Sequence, residues 1–312
     1  MIEKILYILW DTGLKLGHRV HTVDELYQVS QTDITIKTAL LESRMIEGSS
    51  FIWTETQNAI AQIRHDNIKA FIDLKLKEQE LKHRRFPLTM EPNLKEGVGG
   101  FRDANLVFWI GKVLFNVDNI KNLPADIIDE EEYKTFRIAL EFLFRVRSAL
   151  HLVAKKKEDT LHLDLIPPIA ALLGYKDTKS AHMRFAKKVT ESLKTIRLYS
   201  IIWIDALTKG YKEDDPDRGY IYPRKETQSF NELLIQLREH ADQPFYVHPT
   251  LLRQLININK PERLNKKLYD TIRTLFYQPY CYSVFRALSY AKLLRYTVPP
   301  IKKVTDLPQF DG

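Results

Sequence analysis

EPNLKEGVGGFRD, residues 91–103, places Gly97, Gly99 and Gly100 within four positions, a cation on each side (Lys95 and Arg102), and the apolar run FRDANLVFWIGKVLF directly after. That order predicts a Gly-rich bend feeding a helix over about 101–115. Glycine lets a backbone turn with positive φ and approach a ligand closely, and the first amides of a helix lack internal partners and favour an anion. A phosphate flanked by two cations is one reading. The other is purely architectural: the glycines serve close packing, and Asp103 in the first turn suits the helix dipole. The spacing is neither that of a Walker loop nor that of a dinucleotide-binding turn.

Outward from the bend the pattern is helical almost throughout. Apolar periodicity predicts helices at 2–11, from Asp33 as N-cap onward, at 55–85, 132–155, 164–174 (closed by Gly174) and 178–207. The stretch LGHRVHT, 16–22, alternates like a short strand. Beyond the hydrophilic YKEDDPDRGYIYPR (211–224), helices are expected at 228–240, 248–258 and 263–294, the last split by Pro279, followed by an extended tail. The fold class is therefore mainly α, a helical bundle.

Two further features bear on binding. Arg147, His151 and Lys155 recur every four residues and line one face of their helix, where they can converge on phosphate or pair within the bundle. The aromatics of FYQPYCYSVFRALSY (276–290) resemble base-stacking groups in composition, but no basic cluster accompanies them, and a buried helix face is the expected role.

The chain has 312 residues, enough for about two domains, with 47 basic and 40 acidic side chains and a net charge of +7. That mild excess suits an anionic partner such as a nucleotide and falls short of a nucleic-acid-coating protein, so nucleic acid is not an expected partner. Cys281 is the only cysteine, which rules out a disulfide within the chain. The N-terminal MIEKILYILWDTG is too short to span a membrane and lacks a signal-peptide cleavage site, so a cytoplasmic setting is expected.

NLKEGVGGFRD resembles the NLKEGPGGLRD signature of the bacterial PII uridylyltransferases, the bifunctional uridylyltransferase/uridylyl-removing enzymes, which are distantly related to glutamine synthetase adenylyltransferases. LWDTGLKLGHRVHTVDE (9–25), DITIKTALLESRMIEGS (33–49), FLFRVRSALHLVAKKKEDTL (142–161) and IAALLGY (169–175) agree in order. Val98 stands where the signature has proline, and Phe101 where it has leucine. The resemblance implies a small remnant of an α/β nucleotidyltransferase fold over residues 1–50, a helical domain over 51–210, and a C-terminal helical subdomain over 211–312.

It also implies nucleotide binding by Lys95, Gly97, Gly99, Gly100, Arg102, Asp103, Arg147 and His151, with UTP as substrate, Mg2+ in the intact enzyme and a PII-like signal protein as acceptor. Asp103 would orient Arg102 or cap its helix. The paired carboxylates that hold the metal in such enzymes lie before the LWD block and have no counterpart here. Asp24, Asp33 and Glu42 read as caps or surface charges, and His182, His240 and His248 are isolated. The expectation is a nucleotide- and partner-binding portion of a uridylyltransferase with no catalytic or metal residue of its own. A non-catalytic interaction module or pseudoenzyme is the alternative.

Overall fold

The computed structural model describes residues 2–13, 16–211, 219–258, 261 and 265–301. The DDPD stretch and most of the C-terminal tail lie outside the described residues. The chain divides into two compact units, Met1–Phe71 and Ile72–Gly312. The fold is mainly α, as the periodicity requires.

The first unit holds α1 (Ile2–Asp11), α2 (Glu25–Thr32), α3 (Ile34–Leu41) and α4 (Ser50–His65). Asp33 caps α3 by accepting the Thr35 amide at 2.7 Å, the local role its position predicts. Leu26, Ile36, Leu41, Ile63 and Phe71 form the core. Lys37 is buried among them, its ammonium donating to the Asp66 carbonyl and lying 5.3 Å from the Phe71 ring centre.

Two expectations fail in this unit. Residues 16–22 form no strand; all seven are exposed, and no strand pairs with them among the described residues. Alternation alone cannot supply the partner whose amides a strand needs. The helical stretch expected over 55–85 is two helices, α4 and α5 (Ile68–Arg85). The chain breaks at Asp66 and Asn67, the latter at φ +47°, a left-handed conformation that asparagine tolerates and a continuing helix does not.

In the second unit α6 (Phe101–Phe115), α7 (Glu130–Ala154), α8 (Ile166–Leu172) and α9 (Lys179–Thr208) make the bundle. The long α9 is its spine and packs against α6, α7 and α8. Phe185, Val189, Leu193, Ile196, Ile202 and Trp203 are each at most 1% exposed along it. Asp129 caps α7 through the Glu131 and Glu132 amides. Gly174, at φ +85°, closes α8 as expected, with the Tyr175 amide donating back to the Ala170 carbonyl at 2.9 Å.

The remaining elements are β1 (Tyr220–Ile221), α10 (Phe230–Glu239), β2 (Tyr246–Val247), α11 (Pro249–Ile256), α12 (Lys266–Leu275), α13 (Cys281–Tyr290) and α14 (Leu294–Thr297). β1 and β2 pair in parallel, with Tyr220 opposite Tyr246 and Ile221 opposite Val247. Two-residue strands carry too little alternation to be seen in sequence. α11 docks on the bundle through Arg253, which donates to Glu132 on α7 at 2.8 and 3.1 Å and to the Ile127 carbonyl at 2.6 Å. Trp203 of α9 donates to the same carboxylate at 2.8 Å.

The aromatics of 276–290 correct a further expectation. α13 buries Val284, Ala287 and Leu288, whereas Phe276, Tyr277, Tyr280 and Tyr282 are exposed, Tyr277 by 83%. A helix presents two faces at the same period, and here the aliphatic residues occupy the inner one.

Candidate functional site

The bend at 91–100 is built before any ligand is considered. Asn93 folds its side chain back to accept the Lys95 and Glu96 amides at 3.1 and 2.7 Å, an Asx turn. Asn93 also pairs with Thr160 in an isolated antiparallel bridge, and the Leu94 amide donates to the Asp159 carbonyl at 2.7 Å. The bend is thereby tied to the segment that follows α7.

The glycines face the protein. A Cβ on Gly97 would lie 2.5 Å from the Asn93 carbonyl oxygen, on Gly100 2.6 Å from that of Leu94, and on Gly99 1.9 Å from that of Leu193 on α9. Only Gly99 has positive φ, +76°. The amides at the start of α6 are also engaged: Gly100 donates to Gly97, Phe101 to Leu94, Arg102 to Lys95 and Asp103 to Gly100, all at 2.9–3.0 Å. The backbone that the sequence offers to a phosphate is thus paired internally, and an anion here would meet side chains.

Asp103 is fully buried. One carboxylate oxygen accepts the Gly99 amide at 2.8 Å; the other accepts Gln79 Nε2 at 2.6 Å and lies 2.8 Å from His83 Nε2, both from α5. Arg197 of α9 approaches to 3.7 Å. Asp103 does not orient Arg102. It joins the bend to α5 and α9, and Arg102 pairs with Glu96 at 3.3 Å while lying 5.5 Å from the Trp109 ring centre.

The cations gather in two groups beside the bend. On one side Glu96 takes Lys82 at 2.6 Å, Arg102, and Lys95 at 3.7 Å; Lys82 also reaches Glu78. On the other, Asp159 takes Arg147 at 2.7 Å and His151 at 3.6 Å. Lys155, expected in line with that pair, is the αL residue that ends α7 (φ +52°) and leaves the stripe. A cleft lined by Lys75, Lys82, Glu96, Arg102, Asp103 and Trp109 has a cavity volume of about 20 Å³, room for a water. A nucleotide at this cleft requires its side chains to part.

Burial alone would favour the protonated form of Glu96, but the hydrogen bond and charge of Lys82, then Arg102, outweigh it and hold the carboxyl below its usual range. Asp159 follows the same logic: burial opposes ionisation, and Arg147, then Lys95 and His151, reverse it. A carboxylate whose folded-state pKa is lowered adds stability above its unfolded value, and that stability is lost as pH falls through the folded value. Urea midpoints of the wild-type chain should therefore fall with acidification below the ordinary carboxylate range. Glu96→Gln and Asp159→Asn should each flatten that fall, and variants that track the wild-type slope would contradict the assignment.

Against this geometry stand the comparisons with known proteins. Residues 70–202 match the family model described as GlnD PII-uridylyltransferase. Those residues are therefore similar to a GlnD-type uridylyltransferase region. The chain is 39% identical over 178 residues to a bifunctional uridylyltransferase/uridylyl-removing enzyme of Rhodopseudomonas palustris, covering 55% of this chain and 19% of the relative. Proteins of the same description from Phenylobacterium zucineum (39% over 189 residues, 58% and 20%) and a Bradyrhizobium strain (40% over 178 residues, 55% and 19%) are similar. The chain spans about a fifth of the length of these relatives. No solved structure matches it.

The GlnD-type region contains all eight residues singled out by sequence. Gly97, Gly99, Gly100 and Asp103 build the bend, while Lys95, Arg102, Arg147 and His151 border it. Sequence reasoning missed Gln79, His83, Glu96, Asp159 and Arg197. The four-residue step from Gln79 to His83 was the one available signal, since it puts both on one helix face. Among the described residues no group of three or more His, Cys, Asp or Glu could hold a metal ion, and no helix is long and apolar enough to cross a membrane.

Proposed function

We propose that this chain is the helical portion of a cytoplasmic uridylyltransferase that moves the uridylyl group of UTP to a tyrosine of a PII-type signal protein. In that reaction the tyrosine hydroxyl attacks the α-phosphorus and pyrophosphate leaves. The role of this portion is to bind the triphosphate through side chains bordering the bend. The observation that carries the reading is the gathering of Lys82, Lys95, Arg102 and Arg147 around one internally braced turn, within the region that matches the family. Gly97, Gly99, Gly100 and Asp103 shape that turn, and a phosphate competes with Glu96 and Asp159 for the cations, with His151 beside them.

Calorimetric titration with UTP, then ATP, each with and without magnesium, tests this. Saturable binding with preference for UTP is expected, weakened at least about tenfold in Lys95→Ala plus Arg102→Ala, since charge-assisted contacts are each worth roughly 1.5–3 kcal/mol. Wild-type affinity in that variant would overturn the assignment.

A second reading, a non-catalytic helical module that docks a partner protein, is favoured by the internal pairing of the bend's amides and the narrowness of the cleft. It predicts capture of the PII-type protein that survives the same two substitutions without nucleotide.

A further inference from the structure

The surface of α12 to α14 is basic and aromatic. Between residues 265 and 301 the sequence has six cations, Lys266, Lys267, Arg273, Arg286, Lys292 and Arg295, against Asp270 alone. All six are exposed. Beside the bend and at the α11 contact, Lys82, Arg102, Arg147 and Arg253 are each held by a carboxylate. Among the described residues none of the six forms such a pair, and two lie against tyrosine instead: Arg286 is 5.7 Å from the Tyr282 ring centre and Arg295 is 4.9 Å from that of Tyr296.

Aromatics alternate with these cations along the sequence. On α12, Tyr269 and Arg273 are one turn apart on the outer face, opposite buried Leu268, Ile272 and Leu275. Just past the helix end, Phe276 meets Phe285 of α13 with ring centres 4.8 Å apart. Phe285 adjoins Arg286, whose partner Tyr282 sits one turn before it. Exposure is 60% at Tyr269, 54% at Phe276, 83% at Tyr277 and 71% at Tyr282.

From this juxtaposition we propose that the α12–α13 surface binds single-stranded nucleic acid, its tyrosines stacking on bases and its arginines meeting the phosphates. The argument is complementarity on two counts. A polyanion is the partner for exposed cations with no carboxylate beside them, and a row of accessible π faces separated by cations matches a strand of alternating bases and phosphates. A purely apolar partner would strand the charges. A folded acidic protein would leave Tyr277 and Tyr282 without flat groups to stack on. The surface is separate from the bend, so the inference does not depend on nucleotide binding there.

The test is fluorescence anisotropy of a short labelled oligouridylate with the full chain. Binding should weaken with salt, and Arg273→Ala plus Arg286→Ala should reduce the slope of log affinity against log salt by about 1.4, at roughly 0.7 per phosphate contact on a single strand. Tyr277→Ala plus Tyr282→Ala removes two exposed rings and no charge. It should weaken binding at least about tenfold while leaving the circular dichroism unchanged, given roughly 1–3 kcal/mol per stacked base. No binding at low salt, wild-type affinity in the tyrosine variant, or displacement by polyglutamate as readily as by unlabelled oligouridylate would each overturn the proposal.

Discussion

Gly99→Ala is expected to destabilise the helical unit by about 2–5 kcal/mol, the sum of a left-handed backbone penalty and an overpacking penalty. Gly99 sits at φ +76°, and its added methyl would lie 1.9 Å from the Leu193 carbonyl oxygen. That oxygen belongs to backbone in the middle of α9, between Val189 and Ile196, both buried. Relief requires the bend to lift away from the spine, which would break the Gly99 amide's bond to Asp103. A loss of this size is a large part of the roughly 5–15 kcal/mol that holds a domain together. Gly174→Ala provides the control, since Gly174 also has positive φ (+85°) but nothing lies within 4 Å of its added Cβ. It should show the conformational penalty alone, roughly 1–2 kcal/mol. Urea denaturation of the two variants separates the terms, and equal losses would show that the close approach to α9 is unimportant.

That contrast marks what sequence can and cannot disclose. Features set by neighbouring residues were legible: the turn into α6, the Asp33 cap, the Gly174 closure of α8, the break around Pro279. Each follows from local backbone preference. Features that need a distant partner were not. Residues 16–22 alternate correctly but have no neighbouring strand among the described residues.

The candidate site divides in the same way. Gly97, Gly99, Gly100 and the flanking cations were visible as a cluster, but their orientation was not, because it depends on Leu193 lying behind Gly99. The counter-ions were hidden for a related reason. Asp159 reaches Arg147 across a reversal of the chain, and Glu96 gathers Lys82 from another helix. A list of cations in sequence overstates the free charge at a site until folding has assigned their carboxylates. The α12–α13 surface shows the converse, where the expected apolar burial is met by Val284 and Leu288 and the rings are left outside.

Asp103→Ala should destabilise the unit by about 3–5 kcal/mol, since it leaves several buried donors without an acceptor and each such orphan costs roughly 1–3 kcal/mol. The donors are the Gly99 amide, Gln79 and His83, with Arg197 losing its nearby charge. Asp103→Asn keeps one acceptor oxygen and turns its amide toward a donor, so its loss should be smaller than that of alanine. Because Gly99 and Asp103 act on one bend, the double variant Gly99→Ala plus Asp103→Ala should lose less than the two single losses combined, a coupling that distant sites do not show. Full additivity would mean that the bend and α5 are held independently. The same measurement gives the nucleotide titration its meaning. Lys95 and Arg102 lie at the rim, 27% and 34% exposed, and their removal should change stability by about 1 kcal/mol or less, as partly solvated pairs do. A loss of UTP binding in a chain that remains folded then reports on ligand contact, whereas a loss in Asp103→Ala reports only that the turn has come apart.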